Sequence, residues 1–175
     1  MVLDILIELG CCKEGDFTLK SGKKSNYYID LRPLVSHPGI LKNICQLMKT
    51  HIEEGVKICG LPYAGIPYAF TLSVLYDNPC VLLRKEKKQH GTAKLLEGDF
   101  QKGEELIVVD DILTTGESVI QSLKKLSCFK IKKIVIVVDR EEGGRERLEK
   151  MGYQVESLFT LKDFQPENYY LKKIN

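Results

Sequence analysis

The sequence predicts an α/β protein built on a doubly wound parallel sheet with helices on both faces. From residue 38 onward, strand patterns alternate with helix patterns, and each connection between strands is long enough for a crossover helix. The strand patterns are short continuous apolar runs, most clearly at residues 106–109, and such runs are typical of strands buried on both faces. No internal repeat, low-complexity segment or linker divides the sequence, so we expect one domain over residues 1–175.

The first 35 residues follow a different pattern, from which we expect a helix and a hairpin that form an N-terminal hood over the core of residues 36–175. Apolar residues recur at helical spacing up to Gly10, where the predicted helix ends. A basic turn then separates two short strand patterns. The predicted elements are a helix over 1–9, strands over 17–19 and 27–31, and the turn over 20–26.

The core elements are assigned in order from the same patterns. Pro38 suits the first turn of a helix, and Gly55 lies between that helix and the next strand. Residues 84–98 have no apolar period and are expected to form a long exposed loop, which in a compact domain is usually functional or disordered. The predicted strands are 56–61, 80–83, 106–109, 131–138 and 153–161, the predicted helices begin at 38, 68, 119 and 146, and a polar helical tail covers 161–171.

Polar side chains follow the central predicted strand at the edge where open α/β folds bind ligands. Asp110 and Asp111 come directly after the apolar run, and two carboxylates would be costly inside the core. Residues 114–118 then combine three hydroxyl side chains, a glycine and a predicted helix N-terminus, a combination that favours an anion-binding turn. Acids beside such a turn suit a ligand with both hydroxyls and a phosphate, such as a sugar phosphate.

Composition excludes several classes of function. The formal net charge of +2 does not indicate a nucleic-acid partner, and no apolar run approaches the roughly 20 residues of a membrane helix. The N-terminus carries Asp4 and Glu8 and no basic segment, so we do not expect a signal peptide. The six cysteines form no C-x-x-C pair and are interpreted as structural thiols, which predicts a reducing, cytoplasmic compartment.

The segment 106–118 resembles the diphosphoribosyl-binding signature of type I phosphoribosyltransferases: four apolar residues, two acids, two apolar residues and then T-T-G-E-S. The resemblance implies the type I phosphoribosyltransferase fold. It also implies that Asp110 and Asp111 contact the ribose hydroxyls and take part in catalysis. The residues that would bind phosphoribosyl diphosphate through the following turn are Ile112, Leu113, Thr114, Thr115, Gly116, Glu117 and Ser118.

The basic loop at 84–98, taken alone, is most simply a solvated run of charges. Its R-K-E-x-K-x-H-G pattern nevertheless resembles the lid of orotate phosphoribosyltransferases. The resemblance implies that Arg84, Lys85, Lys88 and His90 bind the diphosphate, with Lys88 and His90 catalytic. Cations closing over the leaving group would neutralise its charge and exclude water. In that family the lid serves the neighbouring subunit, which implies a two-fold homodimer with a shared lid.

The N-terminal hairpin resembles the segment that covers the base in the same family. The resemblance implies that Tyr28 and Ile29 provide the stacking face for orotate, a flat anion, and that Lys20 reaches the diphosphate and the base as a catalytic residue. Thr114 would lie beside the base. The D-R-E-E sequence at 139–142 matches the family's Asp-Arg-x-Glu pattern, in which Arg140 would pair with the carboxylate of orotate.

One position departs from the pattern of many bacterial members, which have a lysine in the loop after the first parallel strand. Here that loop reads P-Y-A-G-I-P, so Ala64 supplies no cation, and Tyr63 and Ala64 would contact the diphosphate mainly through backbone N–H groups. The forms fused to orotidylate decarboxylase in animals also lack this lysine, and their Y-I-D-L-R segment resembles residues 28–32. The resemblance therefore leans toward the fused branch.

Taken together, the resemblance implies an enzyme that makes orotidine 5′-monophosphate and pyrophosphate from orotate and phosphoribosyl diphosphate in UMP biosynthesis. It implies Mg²⁺ carried on the diphosphate near Asp110 and Asp111, with no dedicated protein site. Two alternatives stay open: a phosphoribosyltransferase for another nucleobase, and a non-catalytic module that senses phosphoribosyl diphosphate. The sequence has no D-x-K-x-x-D decarboxylase motif, so association with a separate orotidylate decarboxylase is a further open question.

Overall fold

The computed structural model describes residues 2–18, 22, 24–86 and 94–165, which form five helices, eight strands and three short 3₁₀ turns. The helices are α1 Val2–Glu8, α2 Pro38–Met48, α3 Gly65–Tyr76, α4 Glu117–Lys125 and α5 Gly144–Lys150. The strands are β1 Cys12–Thr18, β2 Lys24–Ile29, β3 Lys57–Gly60, β4 Cys80–Leu83, β5 Leu96–Glu97, β6 Glu105–Leu113, β7 Lys130–Asp139 and β8 Val155–Thr160. The 3₁₀ turns are Arg32–Ser36, Lys49–His51 and Leu161–Phe164.

Six strands form the main sheet in the order β5-β4-β3-β6-β7-β8, and all neighbours are parallel except β4 and β5. The predicted α/β class with a parallel, doubly wound core is confirmed. The prediction of one unbroken loop over 84–98 is wrong at its end, because Leu96 and Glu97 pair antiparallel with β4. Two residues are too few to show an alternating pattern in the sequence, and this strand forms because the edge of β4 offers hydrogen-bond partners.

The central strand β6 shows why the core strands appear in the sequence as continuous apolar runs. Ile107 and Val109 belong to a core cluster shared with α2 and α3, whereas Leu106 and Val108 belong to a cluster shared with α4. Successive side chains of a strand point to opposite faces, so a sheet covered on both sides needs apolar residues at every position.

None of the described helices combines the length and the hydrophobicity that a membrane-spanning helix requires.

The hairpin β1–β2 is a separate two-stranded antiparallel sheet. Strand β1 is longer than predicted, because residues 12–16 are mostly exposed and polar and therefore show no apolar strand pattern. Strand β2 ends at Ile29, two residues before the predicted end, and Pro33 is the second residue of the following 3₁₀ turn, which starts at Arg32. The hairpin is joined to the core through the buried side chains of Ile29 and Leu31.

The last predicted element also differs. The polar helical tail expected over 161–171 is present only as the 3₁₀ turn Leu161–Phe164, which Thr160 and Asp163 close by a reciprocal capping box. Residues 166–171 lie outside the described residues. All six cysteines are free, and burial raises the pKa of Cys45 and of Cys59 to about 12, which keeps these thiols protonated.

Candidate active site

A cleft of about 710 Å³ opens at the carboxyl edge of the sheet, between the hairpin and the ends of β6 and β7. Nine of the nineteen predicted site residues line this cleft, although they lie far apart in the sequence. The hairpin contributes Tyr28 and Ile29, and the turn after β7 contributes Arg140. Asp111, Ile112, Thr114, Thr115, Glu117 and Ser118 line the same cleft from β6 and the turn that follows it. Leu113 and Asp110 do not line it, and the Leu113 side chain lies in the apolar core.

The two acids lie within the last residues of β6 and not beyond its end, because the strand extends to Leu113 and continues to pair with β7. Asp110 is 8% exposed. Its Oδ1 accepts the backbone N–H of Asp111 at 3.0 Å, and Oδ1 of Asp111 accepts the N–H of Ile112 at 2.8 Å. Burial, and then the neighbouring charge of Asp111, raises the pKa of Asp110 well above its usual range.

Burial also raises the pKa of Asp111, while its backbone hydrogen bond to Ile112 opposes the shift. Of the two acids, Asp111 is the one that lines the cleft. A partly desolvated carboxylate at the cleft wall is suited to accept hydrogen bonds from a ligand's hydroxyl groups, or to contribute a ligand to a divalent cation. Among the described residues, no three His, Cys, Asp or Glu side chains cluster as a metal-binding set.

The turn between β6 and α4 is held by close backbone packing. Gly116 has φ +77°, a conformation that favours glycine, and precedes the first residue of α4. A Cβ atom at Gly144 of α5 would overlap the carbonyl oxygen of Thr114 and lie 2.9 Å from the nitrogen of Gly116. Arg147 of α5 adds an ion pair at 2.8 Å to Glu117. The predicted phosphate-binding turn therefore rests directly on the start of α5.

Arg140 and Glu142 form a buried ion pair on the wall of the cleft. Nε of Arg140 lies 3.0 Å from Oε1 of Glu142, and the two side chains are 8% and 10% exposed. Both Nε and Nη2 of Arg140 are buried without a hydrogen bond of good geometry to any described residue. The backbone of Arg140 is fixed by its N–H bond to the carbonyl of Leu113 at 2.9 Å. A buried guanidinium with unsatisfied donors is suited to bind a carboxylate.

The neighbouring acid Asp139 has a structural role. It is 2% exposed, and its Oδ2 accepts a hydrogen bond from Nε of Arg145 at 2.9 Å. Its Oδ1 accepts the N–H of Glu141 at 2.9 Å, which orders the turn that carries Arg140. Glu141 has φ +55°, so the chain turns sharply between Arg140 and Glu142, and both side chains line the cleft.

Tyr63, Arg84 and Lys85 meet in a second cavity of about 380 Å³, formed by the loop after β3 and the end of β4. Arg84 is not free in this structure, because its Nε donates to Oε1 of Glu97 at 2.9 Å. Nζ of Lys85 lies 5.6 Å from the centre of the Tyr63 ring. Ala64 precedes the first residue of α3 and brings no charge. These predicted residues are thus close together, but in a cavity separate from the main cleft.

Three predicted catalytic residues, Lys20, Lys88 and His90, lie outside the described residues. The cleft also contains four residues to which the sequence assigned no role, namely Thr18, Asp30, Arg32 and Glu142. Asp30 and Arg32 belong to the Y-I-D-L-R segment and Glu142 to the Asp-Arg-x-Glu pattern, so local sequence signals exist for these three.

A parallel sheet with an acid pair and a hydroxyl-rich turn at its carboxyl edge is the arrangement expected of the phosphoribosyltransferase class of protein. In agreement, the family model described as the phosphoribosyl transferase domain matches residues 32–165. The orotate phosphoribosyltransferase of Pyrococcus abyssi is 40% identical over 168 residues, which cover 93% of this chain and 92% of the relative. The chain therefore belongs to the phosphoribosyltransferases and, within them, to the orotate phosphoribosyltransferase family.

Solved structures support the same assignment. The crystal structure of the orotate phosphoribosyltransferase from Aeropyrum pernix matches with a TM-score of 0.81 and 32% identity, covering 99% of this chain and 98% of that one. The UMP synthase of Leishmania donovani matches with a TM-score of 0.84 and 32% identity. That match covers 98% of this chain but only 38% of the longer protein.

Proposed function

We propose that this protein is an orotate phosphoribosyltransferase of pyrimidine biosynthesis. It transfers the 5-phosphoribosyl group from phosphoribosyl diphosphate to orotate and releases orotidine 5′-monophosphate and pyrophosphate. The observation that carries the proposal is one cleft that joins the Asp111 carboxylate and the 114–118 turn to an aromatic ring and a buried arginine. The first two features suit a ribose phosphate, and the last two suit a flat anionic base.

The arrangement supports roles for the residues that line the cleft. Asp111 holds the ribose hydroxyls, and the role of Asp110 beside it rests on the resemblance, because Asp110 does not line the cleft. Residues 112–118 hold the 5-phosphate by N–H groups and hydroxyls at the start of α4. Orotate stacks on Tyr28 and Ile29 beside Thr114, with its carboxylate on Arg140. No nucleophilic side chain is required, because positioning and charge stabilisation supply the rate enhancement.

A second set of residues, most of them cations, is assigned to the leaving group. Tyr63 and Ala64 contribute backbone N–H groups, and Arg84, Lys85, Lys88 and His90 of the lid, with Lys20, stabilise the charge of the diphosphate as it departs. Asp111, with Asp110 beside it, would supply oxygen donors of the kind that Mg²⁺ prefers. A Mg²⁺ ion bound with the substrate would supply neutralisation of the charge on the diphosphate.

We propose that the protein acts as a homodimer with the lid shared between subunits. The support is an exposed apolar strip, on which Phe70 and Val74 of α3 are 47% and 80% exposed and lie one helical turn apart. Tyr63, near the cavity that contains Lys85, is 69% exposed. A partner that covered this strip together with Tyr63 would reach Lys85, at the start of the predicted lid segment.

The assignment of residues 1–35 as a hood and 36–175 as the core of one domain belongs to the same proposal. So does a cytoplasmic location, which suits six unpaired cysteines.

A separate orotidylate decarboxylase is proposed as a partner, because this chain spans only 38% of the Leishmania donovani UMP synthase. Co-elution of the two purified proteins tests this association, and separate elution at micromolar concentration contradicts it.

One assay tests the function against its alternatives. Orotate absorbance is followed after addition of phosphoribosyl diphosphate and Mg²⁺, with uracil and hypoxanthine as controls. We expect loss of the orotate signal and formation of pyrophosphate. Conversion of hypoxanthine or uracil instead would indicate a phosphoribosyltransferase for another base, and binding of phosphoribosyl diphosphate without turnover would indicate a sensor.

A further inference from the structure

We propose that Arg32 is an additional binding residue for the diphosphate of phosphoribosyl diphosphate and that Asp30 is the residue that positions it. The inference rests on the proposed function and adds a cation to that site. Neither residue was assigned a role from the sequence, and both line the main cleft.

The first observation is the geometry of the pair. Nε and Nη2 of Arg32 donate to Oδ1 and Oδ2 of Asp30, each at 2.7 Å, and the backbone N–H of Arg32 donates to the same Oδ1 at 3.0 Å. Two parallel contacts fix the plane of the guanidinium, and the backbone contact fixes the carboxylate that holds it. The arginine is therefore oriented before any ligand arrives, which lowers the entropy cost of binding.

The second observation is that the pair stands on a fixed base. The N–H of Asp30 donates to the carbonyl of Cys11 at 2.8 Å, which ties the end of β2 to the residue before β1. Leu31, between the two partners, is 1% exposed and belongs to the core. The backbone on either side of the ion pair is therefore fixed by the core, and this fixes the orientation of the Arg32 guanidinium.

The third observation is that donors remain available. The Arg32 side chain is 68% exposed although it lines the cleft. Asp30 is the one hydrogen-bond partner found for this side chain within 2–18, 22, 24–86 and 94–165. Asp30 occupies one edge of the guanidinium, so the Nη1 group and the second Nη2 hydrogen can serve a ligand. Such an edge matches the spacing of phosphoryl oxygens.

The choice of the diphosphate over orotate follows from charge. Tyr28 and Asp111 both interact electrostatically with Arg32, so Arg32 lies between the side of the cleft proposed for the base and the side proposed for the ribose. The leaving diphosphate is bonded to the ribose carbon that the base attacks, so it also lies between the two. Arg140, buried beside Glu142, is the cation suited to the single carboxylate of orotate. Among the described side chains that line the cleft, Asp30, Asp111, Glu117 and Glu142 are acidic and only Arg32 and Arg140 are basic. The more highly charged substrate therefore depends on Arg32, particularly since Ala64 provides no cation.

Calorimetric titration of magnesium pyrophosphate and, separately, of orotate tests this assignment with Arg32→Gln. Lys13→Gln is the matched control, because Lys13 is an exposed cation of β1 that also acts electrostatically on Asp30 but does not line the cleft. We expect Arg32→Gln to raise the Kd of pyrophosphate about tenfold, and Lys13→Gln to leave it within about twofold. The Kd of orotate should change by no more than about twofold in either variant.

Asp30→Asn tests the positioning role, since it retains one carbonyl acceptor but loses the second contact. We expect a smaller loss of pyrophosphate affinity than in Arg32→Gln, and no added loss when both substitutions are combined. Unchanged pyrophosphate affinity in Arg32→Gln, a loss equal to that of Lys13→Gln, or weakened orotate binding instead would each overturn the proposal. If the wild type fails to convert orotate, the proposed function fails, while the pyrophosphate titration still reports on Arg32.

Discussion

Nε of Arg140 lies 3.0 Å from Oε1 of Glu142, and both side chains are about nine-tenths buried at the wall of the cleft. Removing one member of a buried ion pair leaves the other charge without compensation, and this commonly costs about 3 kcal/mol or more. We therefore expect Arg140→Met and Glu142→Met each to lower the free energy of unfolding by about 3 kcal/mol, and the double variant by less than their sum. Urea denaturation of the four proteins measures the coupling, and strict additivity would show that the pair is not energetically linked.

Burial of Asp110 predicts a stability cost at neutral pH. Its pKa in the folded state is raised, so below about pH 4 it is protonated in both states, and stability falls as the pH rises toward the raised folded pKa. Asp110→Asn keeps an acceptor for the N–H of Asp111 and removes the buried charge. We expect it to be more stable than the wild type at pH 7 by on the order of 1–2 kcal/mol, and to show a flatter stability profile above about pH 4.

Asp139→Asn is the matched control for that experiment, since Asp139 is equally buried at the end of the next strand but is paired with Arg145. It should lose about 3 kcal/mol of stability at pH 7, because Arg145 loses its close charged partner at 2.9 Å and keeps only the longer ion pair with Glu149 at 3.8 Å. Thermal unfolding across the pH range distinguishes the two acids. A destabilised Asp110→Asn would mean that its charge is compensated in the folded state.

Gly144 packs against the predicted phosphate-binding turn, so a substitution there should affect function although glycine has no side chain that could bind substrate. A methyl group there would overlap the carbonyl oxygen of Thr114, so Gly144→Ala must displace the turn or the start of α5. We expect a rise in the KM for phosphoribosyl diphosphate of about tenfold or more, with a smaller change for orotate. Gly39→Ala is the control, because a Cβ at that position meets no atom within 4 Å. Equal effects on both substrates would indicate general unfolding.

The exposed strip on α3 predicts the state of association. Val74 is 80% exposed, so Val74→Glu should cost little in a monomer but should disrupt an apolar dimer interface. We expect the wild type to sediment as a dimer and Val74→Glu as a folded monomer with reduced turnover. A monomeric wild type with full activity would refute the shared lid.

The lid residue Lys88 is predicted to act on the leaving group. Its charge is needed mainly as pyrophosphate departs, so Lys88→Ala should lower kcat by about a hundredfold and leave the Kd of orotate nearly unchanged. Single-turnover kinetics and equilibrium binding separate the two quantities. Equal losses in both would contradict the assignment of residues 84–98 as a lid.

Local sequence patterns predicted the core strands well where every consecutive residue is buried and therefore apolar. The run at 106–109 became the middle of β6, with alternate side chains in two separate cores. Signals failed where pairing depended on a distant edge, as for Leu96 and Glu97 in β5. They also failed for β1, whose polar residues form a strand because β2 supplies hydrogen-bond partners.

The sequence by itself determined the fold class and the family, because these depend on short contiguous patterns such as residues 106–118. The sugar-phosphate character of the site stays a prediction from the same pattern. Only the tertiary structure decided how the charged side chains pair. It paired Arg140 with Glu142 and Arg32 with Asp30 at the wall of the main cleft, and Arg84 with Glu97 outside that cleft. Ion pairs form between side chains that the turns and strand ends bring within about 4 Å, and that distance depends on backbone conformation and packing that no local motif contains.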